Sequence, residues 1–60
     1  MFVEFTDEAG QKVALNTDNI EYVRRTADDT TTIRLIGGTM IVVREKFETI
    51  MDMPPFYAVE

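Results

Sequence analysis

The sequence predicts a mainly β domain of α+β type. Five antiparallel strands follow one another as a meander or a small half-open barrel, and one short C-terminal helix closes the chain. Three observations carry this. Apolar residues alternate with a period of two through most of the chain, which is the pattern of half-buried strands. Short clusters of Gly, Asn and Asp separate the alternating runs and supply turn chemistry. Only after Val43 do the apolar positions change to helical spacing.

The first run, Phe2 to Thr6, sets Val3 and Phe5 on one side and Phe2, Glu4 and Thr6 on the other. The second, Gln11 to Leu15, sets Val13 and Leu15 together. A three-residue loop ending in a left-handed Gly joins many hairpins, and Gly10 suits that place because it has no Cβ to clash at positive φ. Pairing Asp7 with Gln11 then brings Phe5 opposite Val13 and Val3 opposite Leu15, so the apolar sides match. Asn16-Thr17-Asp18-Asn19 is a turn, because Asn and Asp side chains bond nearby backbone groups. It lacks the spacing of a calcium loop.

Ile20 to Thr26 and Thr31 to Ile36 are rich in β-branched residues, as strands are. If Thr26 pairs with Thr31, Ile20 and Tyr22 share a core face with Ile33 and Leu35. Gly37-Gly38 supplies the positive φ of a tight hairpin, which sets Leu35 opposite Met40 and Ile33 opposite Val42. The other face then carries Val23, Ile36, Ile41 and Val43 beside Arg25 and Arg34. An uncovered antiparallel sheet usually has a polar outer face, so either the sheet curls into a barrel or another chain covers these four residues, which with Phe56, Tyr57 and Val59 are the expected protein interface.

Val43, Phe47, Ile50 and Met51 form a helical stripe, predicting a helix over about 44–53 that ends before Pro54. It is too short to stand alone and must pack on the sheet. Residues 1–53 thus form a single β-rich domain. Residues 54–60 form a Pro-Pro-led tail, in which Phe56, Tyr57 and Val59 are strand formers. The tail either folds back on its own core or adds a strand to a neighbouring chain's sheet edge.

The chain has 60 residues. A fold of this size buries only about 60% of its unfolded surface. Burial at ~25 cal/mol/Å² then contributes on the order of 90 kcal/mol, and ordering the chain at ~1.5 kcal/mol per residue costs about the same. A partner surface would tip this balance, so self-association as a homo-oligomer is expected.

Net charge is −5, which opposes the phosphate neutralisation that nucleic acid requires. Arg24, Arg25 and Arg34 are nevertheless candidate anion-binding residues, with stacking on Tyr22 or Phe2 available. His, Cys and Ser are absent, which removes the usual nucleophiles and bases. No enzyme, catalytic residue, cofactor or metal site is therefore expected. No apolar run approaches the ~20 residues of a membrane span, and the N-terminus lacks the basic start of an export signal. A cytoplasmic location is the expectation.

Several features together resemble the flagellar protein FlbD and swarming-motility protein family. They run from Thr6 and Gly10 through Leu15-Asn16, Ile20-Glu21 and Asp29-Thr30. They continue with Ile33 and Leu35 in alternation, Gly38, Val42-Val43, Glu45 and Ile50. The resemblance implies a cytoplasmic, non-enzymatic accessory role in bacterial motility, with no catalytic residues. The expected function is thus a self-associating protein-interaction module whose partner protein is unknown. Two alternatives remain open: a small oligomeric β-protein that binds RNA through an arginine-bearing sheet face, and a regulator that binds one cognate protein.

Overall fold

In the computed structural model, which describes residues 1–54 and 56, the chain is mainly β. Strands β1 (Phe2–Thr6), β2 (Lys12–Asn16), β3 (Ile20–Ala27), β4 (Thr30–Leu35) and β5 (Met40–Val43) precede a short helix, α1 (Phe47–Met51). The strands form two antiparallel sheets, β1-β2 and β3-β4-β5, and do not close into a barrel.

The first hairpin has the expected register: Phe5 faces Val13 and Val3 faces Leu15. Its loop is held by the Gly10 amide on Asp7 O (3.0 Å) and the Asp7 amide on Gln11 O (2.8 Å). The Asp7 Oδ1 accepts the Gln11 amide at 2.9 Å. Gly10 has φ +86°, and a Cβ there would meet the Arg44 guanidinium at 3.4 Å. The turn at Thr17–Asn19 is a 3₁₀ turn, capped by Asn16 Oδ1 accepting from the Asp18 amide.

The other two hairpins differ from expectation by one residue each. Thr31 pairs with Arg25, not Thr26, and Ala27 pairs with Thr30. The Asp28-Asp29 turn uses no positive φ, so it lacks the primed geometry that matches strand twist. The register shift between Arg25 and Ala27 is a bulge that adds local twist. At the next hairpin, Leu35 O accepts the Gly38 amide at 3.0 Å and Thr39 O accepts the Leu35 amide at 2.8 Å. Gly37 and Gly38 both have positive φ, +103° and +101°, giving a three-residue loop rather than a two-residue one. Ile33 therefore pairs with Ile41, and Arg34 with Met40.

A one-residue slip moves every side chain to the opposite face. Val23, Ile41 and Val43 accordingly share the inward face with Ile33 and buried Thr31, whereas Tyr22, Met40 and Val42 turn outward. A second bulge, between Ile20 and Tyr22, lets both Ile20 and Val23 pack against the core despite their odd spacing. Phe5, Leu15, Ile33, Val43 and Ile50 form that core.

The segment after β5 joins the two sheets. Asp7 bridges Val43, and Thr6 O accepts the Arg44 amide at 2.7 Å. Both Glu45 carboxylate oxygens accept the Thr6 amide, at 2.9 and 3.0 Å, and the buried Thr31 hydroxyl donates to Glu45 O at 2.7 Å. Arg44 Nη2 donates to Glu8 O at 2.6 Å. These roles explain why the helix is shorter than 44–53. Arg44 and Glu45 link the sheets, Lys46 is extended at the N-cap, and only Phe47–Met51 is α-helical. Ile50 anchors it in the core.

Candidate interaction surface

The corrected register redraws the expected interface. Val43 is fully buried in the chain's own core, and Val23 and Ile41 are half-buried against it. None of these three forms an outer apolar face. Ile36 does reach solvent, at 66% exposure on the β4–β5 turn. Phe56 packs against the core, and its amide donates to Met53 O at 2.7 Å. Tyr57 and Val59 lie outside the described residues.

The true outer face of the three-stranded sheet carries Tyr22 and Arg24 on β3, Thr32 and Arg34 on β4, and Met40 and Val42 on β5. Hydroxyls of Thr26 and Thr32 are hydrogen-bonded to each other. The Arg24 guanidinium lies 4.9 Å from the Tyr22 ring centre and that of Arg34 lies 6.0 Å away, within the range of cation–π attraction. Arg34 Nε also stands 2.8 Å from Glu21 Oε1, although out of line for a hydrogen bond. Met40 is 58% exposed. Sequence reasoning missed Met40 and Tyr22 as surface residues because it paired β4 with its neighbours one residue out.

The three candidate anion-binding arginines are not together. Arg24 and Arg34 flank Tyr22 on the outer face, cross-strand neighbours of one ladder. Arg25 points the other way, toward α1, where it pairs with Glu48 and stacks 5.3 Å from the Phe47 ring. Lys12 is remote from them and donates to Thr6 Oγ1 at 3.0 Å. Of these three arginines, Arg24 is the one with no carboxylate partner among the described residues.

Among the described residues, β3 pairs only with β4. Beside it runs a groove of ≈ 440 Å³ lined by Ile20, Tyr22, Val23, Met51 and Phe56, with Asp18 and Glu21 at its rim. Residues from both faces of β3 line it, so the groove opens at the strand edge. Among the described residues, no cluster of acidic side chains is arranged to hold a metal ion. Among the described residues, no helix is long and apolar enough to cross a membrane.

A family model described as flagellar and swarming motility proteins, FlbD, matches residues 2–53, from the first residue of β1 to two residues past α1. No curated protein and no solved structure matches the chain.

Proposed function

The chain belongs to the FlbD family of flagellar and swarming motility proteins, and from that premise we propose that it serves bacterial motility as a non-enzymatic interaction module that associates with itself. A cytoplasmic site of action is part of this proposal. The observation that carries it is the outer face of β3-β4-β5: Tyr22 between two guanidiniums, with exposed Met40 and Ile36 nearby. Aromatic, arginine and methionine side chains are the types enriched at protein interfaces. They stand here on a rigid ladder rather than on a loop. The core, with five buried apolar side chains among the described residues, is small for a free-standing domain, which supports association.

A second reading is single-stranded RNA, favoured by the Arg24–Tyr22–Arg34 arrangement, since aromatic and guanidinium faces stack on bases. The net charge of −5 and the carboxylates beside Arg25 and Arg34 favour a protein partner instead.

The test is deletion of the gene in its native host, followed by complementation. The wild-type chain should restore surface swarming. A Tyr22→Ala/Arg24→Ala chain, folded by circular dichroism, should not. Full restoration by that double variant would overturn the role of this face, and unaltered motility on deletion would overturn the reading as a whole. RNA binding predicts an affinity that falls steeply with salt and is lost in Arg24→Glu.

A further inference from the structure

The chain has four methionines, and the fold treats them differently. Met51 and Met53 pack against the core. Met1 and Met40 are open to solvent, at 62% and 58% exposure. Met1 stands at the chain end, where its carbonyl accepts from the Thr17 amide at 2.7 Å. Met40 stands on the outer face of the three-stranded sheet, directly opposite Arg34. We propose that Met40 is a reversible oxidation site, and that its sulfoxide captures the Arg34 guanidinium and so alters this face.

Arg34 is placed to respond. Residues directly opposite on antiparallel strands have Cβ atoms about 5 Å apart, so the Met40 sulfur is within reach of the guanidinium. Arg34 Nε is shielded from solvent and has no hydrogen-bond partner among the described residues, although Glu21 Oε1 is 2.8 Å away. The contact with Glu21 is thus one of charge without a bond, and exposed pairs of this kind hold weakly. On its other side the guanidinium leans toward the β4–β5 turn, with Nη2 3.6 Å from the place a Gly38 Cβ would occupy. Gly38 lies two positions before Met40 on the same side. A thioether sulfur is a weak acceptor. Its sulfoxide is polar, with an oxygen able to accept from a guanidinium. Reduced Met40 leaves Arg34 beside Glu21 and Tyr22, and oxidised Met40 draws it toward β5.

The oxidant is a peroxide. The thioether sulfur attacks one peroxide oxygen, an S–O bond forms, the O–O bond breaks, and the departing oxygen leaves as water after proton transfer. Sulfur gives up two electrons and the peroxide takes them. The reaction needs an open sulfur, which Met40 has and the core-packed Met51 and Met53 lack. Sulfoxide reductases return the thioether. The consequence for association rests on the interaction reading above. There, oxidation replaces an apolar contact with a polar one and withdraws one of the two guanidiniums flanking Tyr22, so the face binds less tightly.

Dilute hydrogen peroxide applied to the folded full chain, followed by tryptic mapping by mass spectrometry, tests the site. Fragment 35–44 carries Met40 alone, and fragment 47–60 carries Met51 and Met53. Fragment 35–44 should gain one oxygen several-fold faster than fragment 47–60, and about as fast as the fragment bearing Met1. Equal rates for Met40 and the core methionines overturn the site. Methionine sulfoxide reductases of both epimer specificities should restore the original mass, and a mass that stays raised overturns reversibility. The Arg34 side-chain N–H signals in proton–nitrogen spectra should exchange with solvent several-fold more slowly after oxidation, with no such change in Met40→Leu. Unchanged Arg34 signals in the oxidised chain overturn the capture. Light scattering should show the reduced chain above its 6.9 kDa single-chain mass and a fall in mass on oxidation. A reduced chain that is already monomeric overturns the self-association reading, while the map and the Arg34 signals still decide the modification. An oligomer that persists with Arg34 captured overturns the effect on the face.

Discussion

The Glu45 carboxylate receives the Thr6 amide in both of its oxygens, at 2.9 and 3.0 Å, across 39 positions of sequence. The contact fastens the first hairpin to the three-stranded sheet at the point where β1 ends and β5 gives way to the helix. It works together with the Arg44 amide on Thr6 O and the Thr31 hydroxyl on Glu45 O. These bonds secure a junction that continuous strand pairing does not.

Glu45→Ala should lower unfolding stability by about 2 kcal/mol, the range of a hydrogen bond to a charged group. Glu45→Gln keeps one acceptor oxygen and should lose less. Urea denaturation measures both. Equal losses for Ala and Gln would show that the carboxylate's charge, not its acceptor geometry, carries the contact.

Gly10→Ala should destabilise by about 1 to 2 kcal/mol through the cost of the left-handed backbone. Its new Cβ also comes into van der Waals contact with the Arg44 guanidinium, 3.4 Å from Nη1. Gly37→Ala has the same backbone cost but meets open space, so it should be the milder of the pair. Thermal melts of the two variants, side by side, check this order.

The corrected register predicts opposite behaviour for two residues first assigned to one face. Val43→Ala should cost about 2 kcal/mol, near the low end for buried aliphatic truncation, because Val43 is fully enclosed. Ile36→Ser, on the exposed turn, should leave stability within about 0.5 kcal/mol of wild type. Denaturant midpoints that fail to separate the two would contradict the pairing of Val43 with Thr31.

Arg25→Glu breaks the ion pair with Glu48, in which both side chains are more than half exposed. Such pairs contribute under about 1 kcal/mol, so the variant should melt within a few degrees of the wild type. A melt that collapses would mean the Arg25 stack on Phe47 holds α1 in place.

The fold was legible wherever local chemistry sufficed. Alternation and the Asp7–Gly10 loop specify the first hairpin completely, because loop length and matching apolar sides leave one register. Many residues that carry the family resemblance prove to be structural. Gly10 turns the loop, Ile33, Val43 and Ile50 fill the core, and Glu45 fastens the sheets. Their pattern therefore speaks of the architecture first and of motility through family membership.

What the sequence by itself determined is the set of strands and turns, the first register, the helix after β5 and the family, all of which rest on neighbours a few positions apart. Tertiary structure alone decided which face of β3-β4-β5 looks outward. A bulge at Thr26 and a turn with two positive-φ glycines each shift pairing by one residue, and in a period-two structure one residue exchanges inside for outside. That exchange buried Val43, exposed Met40 and turned Tyr22 outward. It also separated Arg25 from Arg24 and Arg34, because strand register is settled by long-range packing that no local window contains.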